Sequence, residues 1–463
     1  MNDEHPPSTV VLDLERLLQG QQRFFASGKT LPLEFRRERL SRFAEEIEKR
    51  ADDFLEALAA DLGKPPIESY LSEVWYLLKE SRYFAKKLPR WAKPKRVSTP
   101  FHNFPARSEI RREPFGNVVV VAPWNYPAQL SLSPLLAAVA AGNCVVVKPS
   151  ELAPATANLL DEVVSAVFDP GHVAVVQGGP EVGQALLEQP FDYWFYTGSE
   201  KVGRLYAAAA AKNLAPVTLE LGGKCPCVVD TDVPLDETVE RIVIAKFFNA
   251  GQTCIAPDFV LVPESLRESF VEKAVASLKQ FYGEGKSPDL ARIVNASHYD
   301  RLLSLVEGKT IRVGEDDREE NYLAPRILPE ADWNDKAMQD EIFGPVLPVL
   351  AYGDLDEALS RVGGLPSPLA LYAFSRNRDT LELVAASVRS GTVCFNDAIK
   401  QVTNLKLPFG GAGRSGMGRY RGRAGFEAFS YTRSFMKRYL WKDVFAIKPP
   451  YGSLLGKVRR FLK

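Results

Sequence analysis

The sequence predicts an α/β protein built on doubly wound, mainly parallel sheets. Short apolar runs rich in β-branched residues recur along the chain, as at residues 118–121, and such runs are typical of strands buried on both faces. Helical segments alternate with these runs, which is the pattern of parallel strands joined by crossover helices. The 463 residues exceed one comfortable hydrophobic core, so two or three domains are expected.

The elements of the first unit follow in chain order. Apolar residues spaced three and four apart predict helices over residues 34–84, and a run of small residues predicts a helix over 128–141 that stops at Gly142. Pro154 suits the first turn of a helix that ends near residue 168. The predicted strands of this unit are residues 118–121, 144–147, 173–176, 193–196 and 217–220.

A second alternating unit begins after Gly223. It starts with a strand at residues 227–229, runs through a helix over 236–250 and a strand over 259–262, and continues to about residue 420. Residues 95–112, which alternate like a strand, and the C-terminal segment fit neither unit. The sequence contains no internal repeat and no low-complexity segment.

Composition restricts the class of function. The 58 basic and 58 acidic residues give a formal net charge of zero, and no basic run of motif quality occurs, so no nucleic-acid partner is expected. Five cysteines without a disulfide-framework spacing fit a reducing compartment. Only four histidines are present and none adjoins a cysteine, so no metal site is expected.

The N-terminus and the hydropathy pattern predict a cytoplasmic location. Residues 1–7 are acidic and proline-rich, unlike a signal peptide. The longest apolar stretch, around residues 135–147, is interrupted by Gly142 and Asn143 and falls short of the roughly 20 residues that a membrane span needs.

Two glycine-marked motifs carry the candidate chemistry. Glu220 precedes Leu221-Gly222-Gly223, and Cys254 ends the run Gly251-Gln252-Thr253-Cys254. A thiolate can add to a carbonyl, and a carboxylate can then activate a water against the resulting acyl-enzyme. The alternatives for the two side chains are an inert buried cysteine and a structural glutamate.

Three further motifs turn this pair into a family resemblance. They are Pro123-Trp124-Asn125-Tyr126-Pro127, Lys148-Pro149-Ser150-Glu151 and Glu341-Ile342-Phe343-Gly344-Pro345. The whole set resembles the aldehyde dehydrogenase superfamily. The runs at residues 252–258, 407–411 and 416–418 look like its class 3 branch, and the resemblance extends from about residue 20 to about residue 455.

The resemblance implies two doubly wound α/β domains with a small β oligomerisation arm, and a homodimer. Residues 1–94 and 113–222 would form the dinucleotide-binding domain and residues 223–420 the catalytic domain. Residues 95–112 and 421–463 would form the arm and the C-terminal tail.

The candidate catalytic groups are Cys254, Glu220 and Asn125. Two prolines stiffen the turn that holds Asn125, and a rigid amide can donate an N–H to an oxyanion. By resemblance, the backbone N–H of Cys254 is the second donor and Glu220 activates the deacylating water. Glu220 ends a predicted strand, which is where ligands bind in open α/β sheets. An asparagine that only holds its own turn is the alternative for Asn125.

The phosphate-binding signal departs from the common motifs. No G-x-G-x-x-G follows a strand, and residues 198–203 are followed by Arg204 rather than by the Lys-Ser/Thr of a P-loop. This segment still joins a strand to a helix, so its N–H groups can face a pyrophosphate. The resemblance implies that Gly198, Ser199 and Gly203 lie nearest the phosphates. The side chain of Glu200 is expected to point to solvent, since a carboxylate repels phosphate.

The remaining cofactor residues are implied by the resemblance. Lys148 and Glu151 would hold the adenosine ribose, and the carboxylate of Glu151 disfavours a 2′-phosphate, so NAD is the first prediction. NADP stays open because Lys148 could pair with that phosphate. Glu341 and Phe343 would bind the nicotinamide ribose and ring, unless residues 343–345 form only a structural turn. Beside them, the predicted cofactor site includes Leu221 and Gly222.

The predicted reaction is the NAD(P)-dependent oxidation of an aldehyde to its carboxylic acid. It would proceed through a thiohemiacetal and a thioester on Cys254. Medium-chain aliphatic or aromatic aldehydes fit best, because an apolar pocket is predicted from Trp124, Tyr126 and Phe395. Gln401 and Arg414 differ from the histidine and smaller polar residue common in class 3 relatives, which bears on the size and polarity of that pocket.

Two other functions compete with this prediction. A CoA-acylating dehydrogenase would share the fold, but such relatives generally lack a carboxylate at the position of Glu220. A catalytically inactive nucleotide-binding structural protein would usually have lost one of the three catalytic groups, and here all three are present.

The tail is a basic amphipathic segment. Its apolar residues would share one helical face, and its charge is entirely basic. Packing on a dimer partner, or a frayed terminus, is the first interpretation, and weak contact with an anionic membrane surface is the second. The residues concerned are Leu454, Leu455, Val458, Phe461 and Leu462 on the apolar face, and Lys457, Arg459, Arg460 and Lys463 among the basic ones.

Overall fold

A computed structural model of the chain describes residues 9–306, 310–440 and 447–461. Within these residues the strands form three sheets. In chain order they are β1 (Lys95–Val97), β2 (Ala106–Pro114), β3 (Asn117–Val121), β4 (Cys144–Lys148), β5 (Val173–Val175), β6 (Tyr193–Thr197), β7 (Val217–Glu220), β8 (Pro226–Val229), β9 (Phe259–Pro263), β10 (Ile311–Arg312), β11 (Arg326–Leu328), β12 (Val346–Tyr352), β13 (Ala370–Phe374), β14 (Thr392–Phe395), β15 (Gly416–Met417) and β16 (Ser430–Arg438).

Helices connect and cover these strands. They are α1 (Thr9–Ala26), α2 (Leu33–Lys49), α3 (Ala51–Leu62), α4 (Pro66–Ser69), α5 (Trp75–Trp91), α6 (Pro127–Ala141), α7 (Pro154–Val167), α8 (Pro180–Leu187), α9 (Glu200–Lys212), α10 (Leu235–Phe247), α11 (Arg267–Tyr282), α12 (Ala296–Ser304), α13 (Lys336–Gln339), α14 (Leu355–Gly363), α15 (Arg378–Ser387), α16 (Gly422–Ala428) and α17 (Leu454–Phe461). A π-helical turn covers Tyr70–Val74, and 3₁₀ turns cover Phe101–Asn103, Phe248–Gly251, Glu264–Leu266, Lys400–Thr403 and Gly413–Ser415.

The first large sheet has the strand order β15-β7-β6-β3-β4-β5, and all its pairings are parallel except that of β15 with β7. Strands β3, β4 and β6 are buried along their whole length. Helix α6, rich in alanine and leucine, is also buried on all sides and ends at Gly142, which adopts a left-handed conformation. The β-branched runs therefore form a sheet covered on both faces, as the sequence predicts.

The second large sheet has the order β10-β11-β12-β9-β8-β13-β14 and is parallel apart from the β10–β11 pair. With the first sheet it gives two doubly wound α/β units, which confirms the predicted fold class. The exact domain boundaries stay a prediction.

The third sheet is small and antiparallel. Strands β2 and β16 pair over nine residues, from Pro114 opposite Ser430 to Ala106 opposite Arg438, and β1 flanks β2. Most residues of β1 and β16 are exposed, so this sheet has little core of its own. It contains the strand predicted within residues 95–112 together with part of the C-terminal segment.

One predicted helix ends earlier than expected. The sequence predicts a helix over residues 236–250, but α10 ends at Phe247. Asn249 and Ala250 instead take φ angles of +52° and +51°, a left-handed conformation that no helical periodicity signals. The chain needs this reversal to leave the helix and enter the loop that carries Cys254.

Candidate active site

The carboxyl ends of the first sheet place several predicted residues along one edge. Val121 at the end of β3 lies opposite Lys148 at the end of β4, and Thr197 at the end of β6 lies opposite Glu220 at the end of β7. Because the strands are parallel, the loops that follow them emerge on the same side. Asn125 and Ser199 lie in two of these loops.

A strained loop carries Cys254 to this edge. Asn249, Ala250 and Gly251 all have positive φ angles, of 52°, 51° and 71°. Gly251 also passes so close to the carbonyl of Gly344 that a Cβ could not be accommodated there. Such backbone strain persists only where surrounding contacts enforce it, and it is common at functional sites.

Buried amides hold this loop against Asn125. The Asn125 Nδ2 donates to the carbonyl of Gln252 at 2.9 Å, and the Asn249 Nδ2 donates to the carbonyl of Asn125 at 2.9 Å. The Gln252 side chain donates to the carbonyl of Arg292 at 2.9 Å. An asparagine amide has two N–H groups, so Asn125 keeps a second donor for another acceptor.

The resting site favours the neutral thiol of Cys254. Burial first, and then the nearby carboxylates of Glu341 and Glu220, raise the pKa of Cys254 to about 12. Arg421 acts in the opposite direction. Because burial is the largest of these causes, neutralising the two carboxyl groups would lower the pKa of Cys254 only in part.

Glu220 is a buried carboxyl group without hydrogen-bond partners. Its exposed fraction is 2%, and neither side-chain oxygen has a partner within the described residues. Burial raises the pKa of Glu220 well above its usual range, while Arg419 and Arg421 oppose that rise. The raised pKa favours the protonated form of Glu220, which becomes a base when it loses that proton.

Glu341 is held more firmly. An added Cβ at Gly222 would collide with its carboxyl group, so the glycine permits this close approach. Burial and then Asp258 raise the pKa of Glu341 to about 8, while the N–H of Gly223 opposes the rise. Asp258 is itself paired with Lys224.

One cavity of about 250 Å³ joins the three candidate catalytic groups. The indole of Trp124 meets the Phe343 ring edge-on at 5.3 Å and the His298 ring at 5.3 Å within it. The cavity is lined by Pro123, Trp124, Asn125, Leu130, Thr197, Gly198, Ser199, Glu220, Leu221, Gly222, Cys254, His298, Arg301, Glu341 and Phe343.

Five predicted site residues do not line this cavity. The Tyr126 hydroxyl lies 2.6 Å from Thr253 Oγ1, on the residue that precedes Cys254. Phe395 lies on the edge strand β14 with 38% of its surface exposed. Gly203 packs against Leu221. The remaining two, Lys148 and Glu151, form an ion pair at 2.9 Å beyond the end of β4.

The pyrophosphate-type loop has one unexpected feature. Ser199 caps α9, its Oγ accepting the N–H of Val202 at 3.4 Å. The side chain of Glu200 is expected from the sequence to point to solvent. In the structure it instead forms ion pairs with Arg204 at 2.6 Å and with Arg414 at 2.9 Å. The two guanidinium groups offset the carboxylate at this helix N-terminus, which removes its conflict with a phosphate.

Comparison with known proteins gives the family. The sequence profile of the aldehyde dehydrogenase family matches residues 8–435. The 4,4′-diaponeurosporen-aldehyde dehydrogenase of Staphylococcus aureus is 40% identical over 455 residues, covering 97% of this chain and 99% of that protein. The dimeric NADP-preferring aldehyde dehydrogenase of Canis lupus familiaris is 42% identical, covering 96% and 99%. This chain belongs to the aldehyde dehydrogenase family.

Solved structures agree with this membership. The substrate-bound state of Staphylococcus aureus AldH superposes with a TM-score of 0.93 at 40% identity, covering 97% of this chain and 99% of that one. An indole-3-acetaldehyde dehydrogenase complexed with NAD⁺ superposes with a TM-score of 0.85 at 26% identity, covering 93% and 89%. The predicted class 3 resemblance, the fold and the NAD(P)-dependent oxidoreductase class are thereby confirmed.

Five lining residues of this aldehyde dehydrogenase are not among the predicted site residues: Pro123, Leu130, Thr197, His298 and Arg301. His298 and Arg301 lie on α12, and their spacing of three residues places them on one helical face. Asn295 caps that helix by accepting the N–H of His298 at 2.9 Å. The sequence could have predicted this short helix from its asparagine cap and its amphipathic pattern. It could not have predicted which face of the helix lines the cavity with Cys254.

The described residues were searched for a membrane-spanning helix and for a metal site. Within them no helix is both long and apolar enough to cross a membrane. Among the same residues, no group of three or more histidine, cysteine and carboxylate side chains is placed to hold a metal ion.

Proposed function

We propose that this enzyme oxidises an apolar aldehyde to its carboxylic acid through a thioester on Cys254, with Glu220 as the base that releases it. The observation that carries the proposal is the shared cavity, in which the thiol, the Asn125 amide and an unpartnered Glu220 carboxyl group face one space. Trp124 and Phe343 make part of its wall aromatic. The Staphylococcus aureus relative is named as an aldehyde dehydrogenase, which supports an aldehyde substrate.

The first step is addition of sulfur to the carbonyl. Cys254 loses its proton to solvent, a C–S bond forms, and the electron pair of the carbonyl π bond moves onto oxygen as negative charge. Asn125 donates its free amide N–H to that oxyanion, together with the backbone N–H of Cys254. The hydrogen bond from Asn125 to the Gln252 carbonyl fixes the amide in advance, so no reorganisation is needed when the charge develops.

The residues present fit a nicotinamide dinucleotide. Gly222 leaves room for the Glu341 carboxyl group, which would bind the nicotinamide ribose beside Phe343. Ser199 and the N-terminus of α9 would face the pyrophosphate, and Glu151 the adenosine ribose. A nicotinamide held by these residues would supply the hydride acceptor for the substrate carbon, and a thioester would then remain on Cys254. NAD is the first choice, because the Glu151 carboxylate opposes a 2′-phosphate.

The last step is hydrolysis. Glu220, once deprotonated, takes a proton from a water, and the hydroxide formed attacks the thioester carbon. The C–S bond then breaks and the acid leaves. The proton that Glu220 took from the water passes to the sulfur, which restores the thiol and the free carboxylate. The oxygens of Glu220 have no partner within the described residues, so no hydrogen bond must be broken before a water can bind them.

An aldehyde panel tests this function. Production of reduced cofactor is followed with aliphatic and aromatic aldehydes, with NAD and NADP, and with and without CoA. We expect turnover of apolar aldehydes that does not need CoA. A strict requirement for CoA would favour the acylating alternative, which the presence of Glu220 in the cavity opposes.

We also propose a homodimer built through the small antiparallel sheet. Most residues of its strands β1 and β16 are exposed to solvent. The exposed fractions of the apolar residues Phe101 and Met436 are 67% and 57%. A second copy would cover these apolar side chains, and the dog relative is named as dimeric. Light scattering of the full chain tests the dimer.

The tail has two proposed contacts, with the dimer partner or with an anionic membrane. Helix α17 exposes 61% of Leu455 beside the basic Arg459 and Arg460; the Phe461 side chain and Leu462 lie outside the described residues. Co-sedimentation with anionic vesicles at low salt compares the full chain with one ending at Tyr451. A shift to monomer on truncation supports packing, and loss of sedimentation supports the membrane.

A further inference from the structure

A buried ion pair contacts the start of the helix that follows Asn125. Lys64 Nζ donates to Glu73 Oε1 at 2.6 Å, and both side chains are fully buried. Lys64 follows α3, and Glu73 lies on the π-helical turn between α4 and α5. Well-packed apolar side chains often stabilise a protein as much as a buried ion pair, so stability alone does not explain this one. π-helical turns are rare and occur frequently at functional sites.

Glu73 completes the first turn of that helix, α6. Its Oε2 accepts the N–H of Ala128 at 2.9 Å and the N–H of Gln129 at 3.2 Å. The Tyr126 side chain at the N-cap position leaves these two buried N–H groups to another acceptor. A buried N–H group without an acceptor destabilises a protein, so the carboxylate is needed here. Glu73 therefore fixes where α6 begins, two residues after Asn125.

Lys64 holds the residue between Asn125 and this helix. Its Nζ lies 3.9 Å from the centre of the Tyr126 ring, a distance at which an ammonium group and an aromatic face attract each other. The Tyr126 hydroxyl lies 2.6 Å from Thr253 Oγ1, and Thr253 precedes Cys254. Direct contacts therefore lead from the ion pair to the loop of the nucleophile.

The segment between the two members of the ion pair also holds the loop of the nucleophile. Glu68 Oε2 accepts the N–H of Asn249 at 2.9 Å. The Asn249 Nδ2 donates in turn to the carbonyls of Asn125 and Gln252, at 2.9 Å and 3.2 Å. One short segment of the chain thus contacts both loops, and the distance between these loops decides whether the amide and the thiol can face the same carbonyl.

We infer that the Lys64–Glu73 pair is a positioning device for the reaction, which sets the Asn125 amide in place relative to Cys254. The inference rests on the oxyanion role proposed above for Asn125. Glu73 fixes the helix that follows the Asn125 turn, and Lys64 holds Tyr126 within the turn itself. A misplacement of about 1 Å can lower a rate about 100-fold, so a rigid support affects catalysis without touching the substrate.

Asp61 provides a matched control. It caps α7, where its two carboxylate oxygens accept the N–H groups of Ala155 and Thr156 at 2.9 Å and 2.8 Å. Like α6, this helix has a proline in its first turn, and its N-cap residue is Ala153, whose methyl group cannot accept an N–H. Asp61→Asn therefore weakens a cap of the same kind on a helix that does not follow the Asn125 turn.

The test removes both buried charges together, because either charge left alone would destabilise the protein. The neutral-pair variant is Lys64→Met/Glu73→Gln, which keeps the approximate volume of the two side chains. It is compared with wild type, Asp61→Asn and Asn125→Ala, and it is also combined with Asn125→Ala. Thermal unfolding establishes that each protein is folded.

The readout is the rate of the first turnover, recorded as reduced cofactor by stopped flow at saturating aldehyde and cofactor. We expect the neutral-pair variant to be about tenfold or more slower than wild type, with unchanged cofactor affinity by calorimetry. Asp61→Asn should keep the wild-type rate. Asn125→Ala should itself be about 100-fold slower. In that background, removal of the pair should change the rate by less than about twofold, because the pair acts through Asn125.

A wild-type rate in the neutral-pair variant would overturn the inference. Equal slowing by this variant in both backgrounds would do the same, because it would indicate general damage to the fold. A fast first turnover in Asn125→Ala would instead refute the proposed oxyanion role, so the two failures are distinguishable.

If the neutral-pair variant failed to fold, Tyr126→Phe would decide. This change keeps both buried charges and removes only the hydroxyl that reaches Thr253 Oγ1. A first turnover about threefold or more slower than wild type supports the inference, because the lost hydrogen bond loosens the turn. A first turnover at the wild-type rate would overturn it.

Discussion

Two carboxyl groups flank Cys254, and the protein holds them in opposite ways. Glu341 lies over Gly222 with no room for a Cβ beneath it, receives the N–H of Gly223, and lies near Asp258. Glu220 is more deeply buried, yet neither of its oxygens has a hydrogen-bond partner in the described residues. Burial is the largest cause of the raised pKa of both groups.

The difference shows what each group is suited to do. A carboxyl group fixed by backbone contacts can orient a ligand, and its position is its contribution. A carboxyl group with free oxygens and a raised pKa can accept a proton from a water near neutral pH. In the proposed mechanism the same type of side chain therefore has two roles: Glu341 holds a ligand in position, and Glu220 acts as a base.

The largest expected effect comes from the thiol between them. Cys254→Ser should lower aldehyde-dependent formation of reduced cofactor below about a hundredth of wild type, because a serine hydroxyl stays protonated near neutrality. Cofactor binding, measured by calorimetry, should be retained. Turnover above that level would show that neither carboxyl group serves a nucleophile at this position.

The proposed role of Glu341 in holding the cofactor is tested by Gly222→Ala. The new methyl group would displace the Glu341 carboxyl group, so kcat/KM for the cofactor should fall roughly 10- to 100-fold. Gly353→Ala is the matched control, because nothing lies within 4 Å of its added Cβ. If both variants behaved alike, the close contact of Gly222 with Glu341 would have no functional meaning.

The proposed role of Glu220 as a base is tested by the pH dependence of turnover. A raised pKa means that Glu220 is protonated at low pH and gains its basic form as pH rises, so deacylation-limited turnover should increase by up to about tenfold per pH unit below that pKa. Glu220→Gln should flatten this dependence. A rising limb of unchanged shape in that variant would assign the titration to another group.

The smallest expected effect concerns the far end of the cofactor site. Glu151→Thr removes a carboxylate and frees Lys148, so kcat/KM for NADP relative to NAD should rise by about three- to tenfold. Glu188→Thr breaks a similar surface ion pair, with Lys212 at 2.9 Å, and should leave the ratio unchanged. An unchanged ratio in both variants would place Glu151 away from the ribose.

The strands and most residues of the candidate site could be predicted from the sequence. Apolar β-branched runs mark buried parallel strands, and the ends of those strands fix where Glu220 and Lys148 lie, because parallel topology aligns the ends. The motif around Asn125 and Cys254 predicted that the two would meet. Their shared cavity agrees with that, although their catalytic roles stay a proposal.

Other features had no local signal. The left-handed turn at Asn249 and Ala250 interrupts a pattern that reads as helix, since non-local contacts impose it. The pairing of Glu200 with Arg414 joins residues far apart in the chain.

The division of labour between the two carboxyl groups can be measured in one stopped-flow experiment. Reduced cofactor is recorded from the first turnover onward in wild type, Glu220→Gln and Glu341→Gln. Glu220→Gln should keep a full burst and then slow by about 100-fold or more, because the thioester forms and is not hydrolysed. Glu341→Gln should slow the burst itself. Equal loss of burst and steady state in Glu220→Gln would contradict its assignment as the deacylating base.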